Sequence, residues 1–188
     1  MRAGLRPTAL EPAPTMAAIA AGKLEGRGEV WVGRFEDWTP SRQFPLLAAF
    51  NAWHWIEPGQ GVELAAKVVR PGGSLALVWT EVVAWGSPSF ARRLAEMSGG
   101  PWATGSGGHI EDCLRPMRED DRFSSFEVRR HRFERTLDGA TFVAVTQTYG
   151  GNPDPEGLAA IQRAVDDEAG GTVTKVEEAV LYLARRRD

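Results

Sequence analysis

Residues 52–79 read AWHWIEPGQGVELAAKVVRPGGSLALVW, and this stretch decides the fold class. Pro58 suits the first position of a helix, where its missing N–H has no partner to lose. Val62, Ala65, Ala66 and Val69 then fall at i, i+3, i+4 and i+7, which makes one apolar stripe for a sheet to cover. Arg70-Pro71-Gly72-Gly73 stops the helix. Leu75–Trp79 follows as an unbroken apolar run of the kind found in strands buried on both faces. A helix leading at once into a buried strand predicts a parallel α/β arrangement.

The alternation continues outward in both directions. Upstream, Phe44–Phe50 predicts a second buried strand, although Pro45 argues against a regular interior position there. Glu29–Gly33 predicts an alternating strand. Pro14, Met16, Ile19 and Ala20 predict a short helix closed by Gly22, and Arg6–Leu10 a strand running into Glu11-Pro12. Downstream, Ser87-Pro88 opens a helix carrying Phe90, Leu94 and Met97. Ser98–Gly108 is Gly/Ser/Pro-rich and reads as a lid loop around Trp102. A strand at Ser125–Phe133, a helix with Phe142, Val145, Thr146 and Tyr149 on one face, a helix at Pro155–Ala169 and a last strand at Ala179–Ala184 complete the pattern. Residues 1–188 read as a single domain.

Composition narrows the function. The 188 residues carry 22 basic and 25 acidic side chains, a net charge of −3, so no global basic surface invites nucleic acid. One cysteine excludes an internal disulfide, and the sequence shows no Cys/His cluster of zinc spacing; no metal is expected, and a reducing compartment, the cytoplasm, is. No apolar run reaches the roughly 18 residues that span a bilayer, so no membrane partner or targeting segment is expected. Seven tryptophans and 21 glycines either line a cleft served by loops or fill a core.

Several residues carry candidate chemistry. Glu11 ends the first strand, where open α/β sheets bind ligands; a carboxylate there either accepts hydrogen bonds from a ribose diol or caps the next helix. His54 follows the Phe44–Phe50 strand, with an imidazole that titrates near neutrality and suits general-base work, or else a loop hydrogen bond. Gly105-Ser106-Gly107-Gly108 has no strand before it and no convincing helix after it, so it reads as a flexible loop and not as a phosphate cradle. His109 and Cys113 stand at i and i+4 without further ligands and make no metal site. Arg129, Arg130, Arg132 and Arg135 around His131 read as a basic strand, either solvated or in contact with an anionic substrate.

The motifs also have an order: strand, Glu11-Pro12, helix, strand, Gly33-Arg34-Phe35-Glu36-Asp37-Trp38, strand, Ala52-Trp53-His54-Trp55, helix, Arg70-Pro71-Gly72-Gly73, strand ending in Trp79. That order resembles the class I S-adenosylmethionine-dependent methyltransferases, and among them the type 11 methyltransferase-domain proteins, over nearly the whole chain. The resemblance implies a Rossmann-like α/β fold, mostly parallel with an antiparallel C-terminal strand, in the order 3-2-1-4-5-7-6. It implies S-adenosylmethionine as cofactor and methyl transfer to an O, N or C nucleophile of a small molecule. Residues 1–97 would bind the cofactor, and 98–188 would supply the lid loop and C-terminal part. Glu11 would hold the ribose hydroxyls and Phe35 would lie beside the adenine. Arg34 stands where many relatives carry an acid, so Glu36 would either reach the adenine amino group in its place or be a solvated loop charge. Trp55 would sit against the sulfonium or wall the cleft, His54 would take the acceptor proton, and Trp53, Trp102 and Tyr149 would line the substrate cleft. Pro45 departs from the aspartate usual in that strand.

Nothing before Glu11 resembles the glycine-rich loop of these enzymes. The resemblance therefore implies an N-terminally truncated sheet, from a late start or a fragment, without the first strand, its glycine loop and most of the following helix. Because that strand is central, its loss is expected to leave two unpaired edges and a marginally stable chain. A non-catalytic remnant or ligand-binding module of the same fold is the rival reading. A dinucleotide-dependent oxidoreductase lacks its G-x-G-x-x-G fingerprint.

Overall fold

The computed structural model describes residues 4–98, 107–147 and 154–188. In chain order the elements are β1 (Thr8–Glu11), α1 (Pro14–Leu24), β2 (Glu29–Val32), β3 (Phe44–Phe50), α2 (Pro58–Val68), β4 (Val69–Trp85), α3 (Pro88–Ser98), α4 (Gly107–Glu119), β5 (Phe123–Asp138), α5 (Gly139–Thr146), α6 (Pro155–Ala169) and β6 (Thr172–Arg186), with 3-10 turns at Phe35–Asp37 and Trp53–Trp55. Among the described residues no helix is long and apolar enough to cross a membrane.

The strands form two sheets. β1 pairs with β2 in parallel, while β3, β4, β6 and β5 form a second sheet in that order. Within it β3 and β4 are parallel, and β6 is antiparallel to both its neighbours. β1 and β3 line opposite sides of a cavity of about 560 Å³, and among the described residues neither pairs with a strand on that side. The order β2-β1 then β3-β4-β6-β5 matches the expected 3-2-1-4-5-7-6 with two edges facing one another. Among the described residues no ladder joins the two sheets.

α2 shows why this stretch is helical and close to the sheet. The Glu57 carboxylate accepts the N–H groups of Gly59 and Gln60 at 3.1 and 2.6 Å, satisfying two free donors of the first turn. These bonds hold Glu57 below the usual carboxylate range. Val62, Ala65 and Ala66 bury against Leu75, Leu77, Trp79 and Trp53. A Cβ on Gly61 would stand 2.9 Å from the Trp53 ring, so the helix approaches that indole only with glycine there.

α4 corrects the flexible-loop reading of residues 105–108, because a helix does begin at Gly107. Ile110, Cys113, Leu114 and Met117 are its buried stripe at i, i+3, i+4 and i+7. Pro116 within the helix and two glycines at its start disguised that period. Cys113 is 1% exposed and burial pushes its thiol up, so it packs as a small hydrophobe. A second core joins Phe90 and Leu94 of α3, Phe142 of α5, Ile161 and Val165 of α6 and Val173 of β6, with Trp85 edge-on to Phe90 and Phe142.

Other boundaries shift. Arg70–Gly73 does not precede β4 but bulges within it: Val69 pairs with Phe44, Ser74 with Leu46, and Pro45 sits at the break, where it forfeits no regular ladder bond. Gly72 turns the bulge at φ 68°. β5 and β6 are longer than expected because they pair with each other along most of their length. β3 is not buried on both faces. Leu47 and Ala49 pack on the core, but Leu46 and Phe50 are 50% and 69% exposed, because nothing among the described residues covers that face.

Candidate functional site

Between β1 and β3 the chain changes its direction of winding: α1 carries it from β1 to β2 on one side, and α2 carries it from β3 to β4 on the other. Open α/β sheets bind ligands outside the strands' carboxyl ends at such a switch point. The cavity lies along this seam. Its walls are largely apolar, and near the carboxyl ends of β1 and β3 they include Glu11, Phe35, Ala52 and Trp53.

The structure thus brings Glu11, Phe35 and Trp53 to one cavity. Glu11 Oε1 accepts the N–H of Ala13 at 2.9 Å, so one oxygen fixes the turn into α1 and serves part of the capping role. Phe35 packs against Trp53 with ring centroids 6.2 Å apart. Trp53 is 1% exposed, yet its indole N–H has no hydrogen-bond partner among the described residues. A buried orphan donor in a cavity wall is what a polar ligand atom would satisfy.

Glu36 stands outside the cavity lining. Arg34 donates to it at 2.6 Å and holds its carboxyl below the usual range, so it is already engaged as an anion. Trp55 is 76% exposed and lies 5.2 Å from His54, ring to ring, and neither is among the cavity-lining residues. Trp102 and Tyr149 lie outside the described residues, as does most of the lid loop.

His54 is fixed from β4. Asn51, at φ 47°, donates its N–H to the Val78 carbonyl and accepts the N–H of Thr80 on its side chain, both at 2.8 Å. This clasp ties the end of β3 to β4 and sets His54 where Trp79 Nε1 donates to its Nδ1 at 3.3 Å. Reading the sequence in isolation missed both Asn51 and Trp79. The signal for the first was an Asn at a strand end, a residue type that tolerates the left-handed conformation.

Farther along the same sheet face, Glu81 opposes Glu178. Arg130 and Arg132 pair with Glu178 at 2.8 and 2.7 Å, so part of the basic strand is neutralised locally. On the opposite face Glu177 and Lys175 form a buried pair at 3.0 Å. Arg135 Nε lies 3.0 Å from the other Glu177 oxygen, off the line of a hydrogen bond.

Comparison with solved structures decides the fold. A candidate type II methyltransferase from Anaeromyxobacter dehalogenans superimposes with a TM-score of 0.60 at 18% identity, over 96% of this chain and 80% of that one. The chain has the class I methyltransferase fold. The YcgJ protein of Bacillus subtilis shares this fold with a TM-score of 0.56 at 13% identity, over 97% and 83% of the two chains. So does the [4+2]-cyclase SpnF, at 0.50 and 18%, over 97% and 67%. In sequence, an uncharacterized methyltransferase of Mycobacterium tuberculosis and its Mycobacterium bovis counterpart are each 29% identical over 99 residues, 51% of this chain. The match spans only 39% of those relatives' length. No protein-family model matches the chain.

Proposed function

We propose that this chain carries out S-adenosylmethionine-dependent methyl transfer to a small molecule, with the cofactor at the β1/β3 seam. The observation that carries the reading is the cavity that gathers Glu11, Phe35 and Trp53 at the topological switch point. The fold alone is insufficient, since a cyclase shares it; the donor set supports the assignment. Glu11 has a second carboxylate oxygen for a ribose diol, Phe35 offers a flat apolar wall for adenine, and the Trp53 N–H offers a buried donor. The bound cofactor supplies an electrophilic methyl group on a sulfonium. The protein's contribution is to orient an acceptor toward it and exclude water, and positioning of this kind accounts for large rate factors.

Calorimetric titration with S-adenosylhomocysteine tests the assignment. Glu11→Ala is expected to weaken binding by about 1.5–3 kcal/mol, the range for hydrogen bonds to a charged group. An unchanged dissociation constant would confine Glu11 to the Ala13 turn. Absence of binding, both by residues 1–188 and by a form extended at the N-terminus, would favour the non-catalytic reading.

A further inference from the structure

Indole N–H groups can only donate, so the bond from Trp79 to His54 has one direction, and Nδ1 of His54 must be unprotonated. In a neutral imidazole the proton then sits on Nε2. The arrangement is over-determined. Trp79 is 4% exposed, so its N–H needs a partner inside the protein. Tyr182 meets its ring edge-on at 5.8 Å, and the Asn51 clasp holds the turn that bears His54 against the same strand.

We infer that Trp79 is a positioning residue that fixes His54 as the Nε2–H tautomer and thereby removes it as the proton acceptor of the reaction. For Nε2 to accept a proton from substrate, the other proton would have to occupy Nδ1, where two N–H groups would face each other at 3.3 Å. For Nδ1 to accept it, the indole donor would be left unpaired in the core. This rests on the methyltransferase reading above and favours one class of acceptor. An acceptor that needs no base at His54 brings its reacting lone pair without deprotonation, as a carboxylate, an acidic phenolate or an unprotonated aromatic nitrogen does and an aliphatic alcohol does not. In the transfer step that lone pair forms the new bond to the methyl carbon. The carbon–sulfur bond would break with its electron pair returning to sulfur, and no proton would pass to His54.

The test is a long-range 1H–15N correlation spectrum of the chain near neutral pH, with the three histidines resolved and His54 assigned by loss of its signals in His54→Gln. The expected result is His54 as the Nε2–H tautomer, changing to a mixture of tautomers in Trp79→Phe. A wild-type His54 that is Nδ1-protonated or an imidazolium overturns the inference, as does a Trp79→Phe spectrum with the tautomer unchanged. If Trp79→Phe fails to fold, the wild-type spectrum decides alone. Failure of cofactor binding removes the methyltransferase reading without moving this spectrum, so the two fail separately.

Discussion

β4 runs 17 residues between β3 and β6, with Leu75 and Leu77 fully enclosed by α2 and α4. β1 and β2 run four residues each, and α1 beside them buries Ala17 alone. Met16, Ile19 and Val32 on that side are all more than half exposed. The two regions share one topology and differ in how much apolar surface they remove from water, the main driving force for folding. The four-stranded half holds its own core, whereas the β1–β2 half buries little and is expected to gain protection when a ligand fills the seam between β1 and β3. Elements drawn from the low-stability end of a protein are commonly those that bind ligands.

Leu77→Ala should produce the largest effect, about 2–5 kcal/mol in denaturant unfolding, because a wholly buried side chain is lost from the larger core. Ile19→Ala, at a position 52% exposed, should stay within about 0.5 kcal/mol. Similar losses at the two positions would break the comparison.

How far this division was legible depends on the residues concerned. The α2–β4 unit was readable because Val62, Ala65, Ala66 and Leu75–Trp79 carry clean periods. The strand order within each sheet was foreseeable from the motif order. The uncovered face of β3 was not, since FPLLAAF reads alike whether one face or both are buried. The site was half legible. Glu11, Phe35 and Trp53 converge, but the Arg34–Glu36 pair and the Trp79–His54 bond depend on side-chain meetings that no spacing rule gives.

Two substitutions sharpen the contrast at intermediate size. Gly61→Leu would force a side chain into the Trp53 ring and should cost about 1–3 kcal/mol, with altered tryptophan fluorescence. Asn51→Ala removes the acceptor for the Thr80 N–H and places a Cβ residue without side-chain compensation at φ 47°. About 1–2 kcal/mol is expected, and Asn51→Gly should recover part of it.

The smallest effect is that of pH. Hydrogen bonds from backbone or arginine donors hold the Glu57, Asp120, Asp138 and Glu178 carboxyls below their ordinary values in the four-stranded half, and Glu36 alongside the other half. A depressed carboxylate contributes stability that is full above its unfolded value and lost as pH falls through the folded one. The melting temperature should therefore be flat from about pH 6 to 8 and fall below about pH 4. Glu57→Gln should shrink the acid-side fall, and an unchanged fall would remove the α2 cap from it.

Native-state hydrogen exchange on residues 1–188, with and without S-adenosylhomocysteine, tests the account most directly. The predicted result is rapid exchange by local opening at Thr8–Glu11 and Glu29–Val32, slow exchange at Leu75–Trp79 and Val180–Ala184, and ligand-induced slowing concentrated at β1 and Phe35. Equal protection of both sheets in the free protein, or a ligand that slows none of these amides, would contradict it.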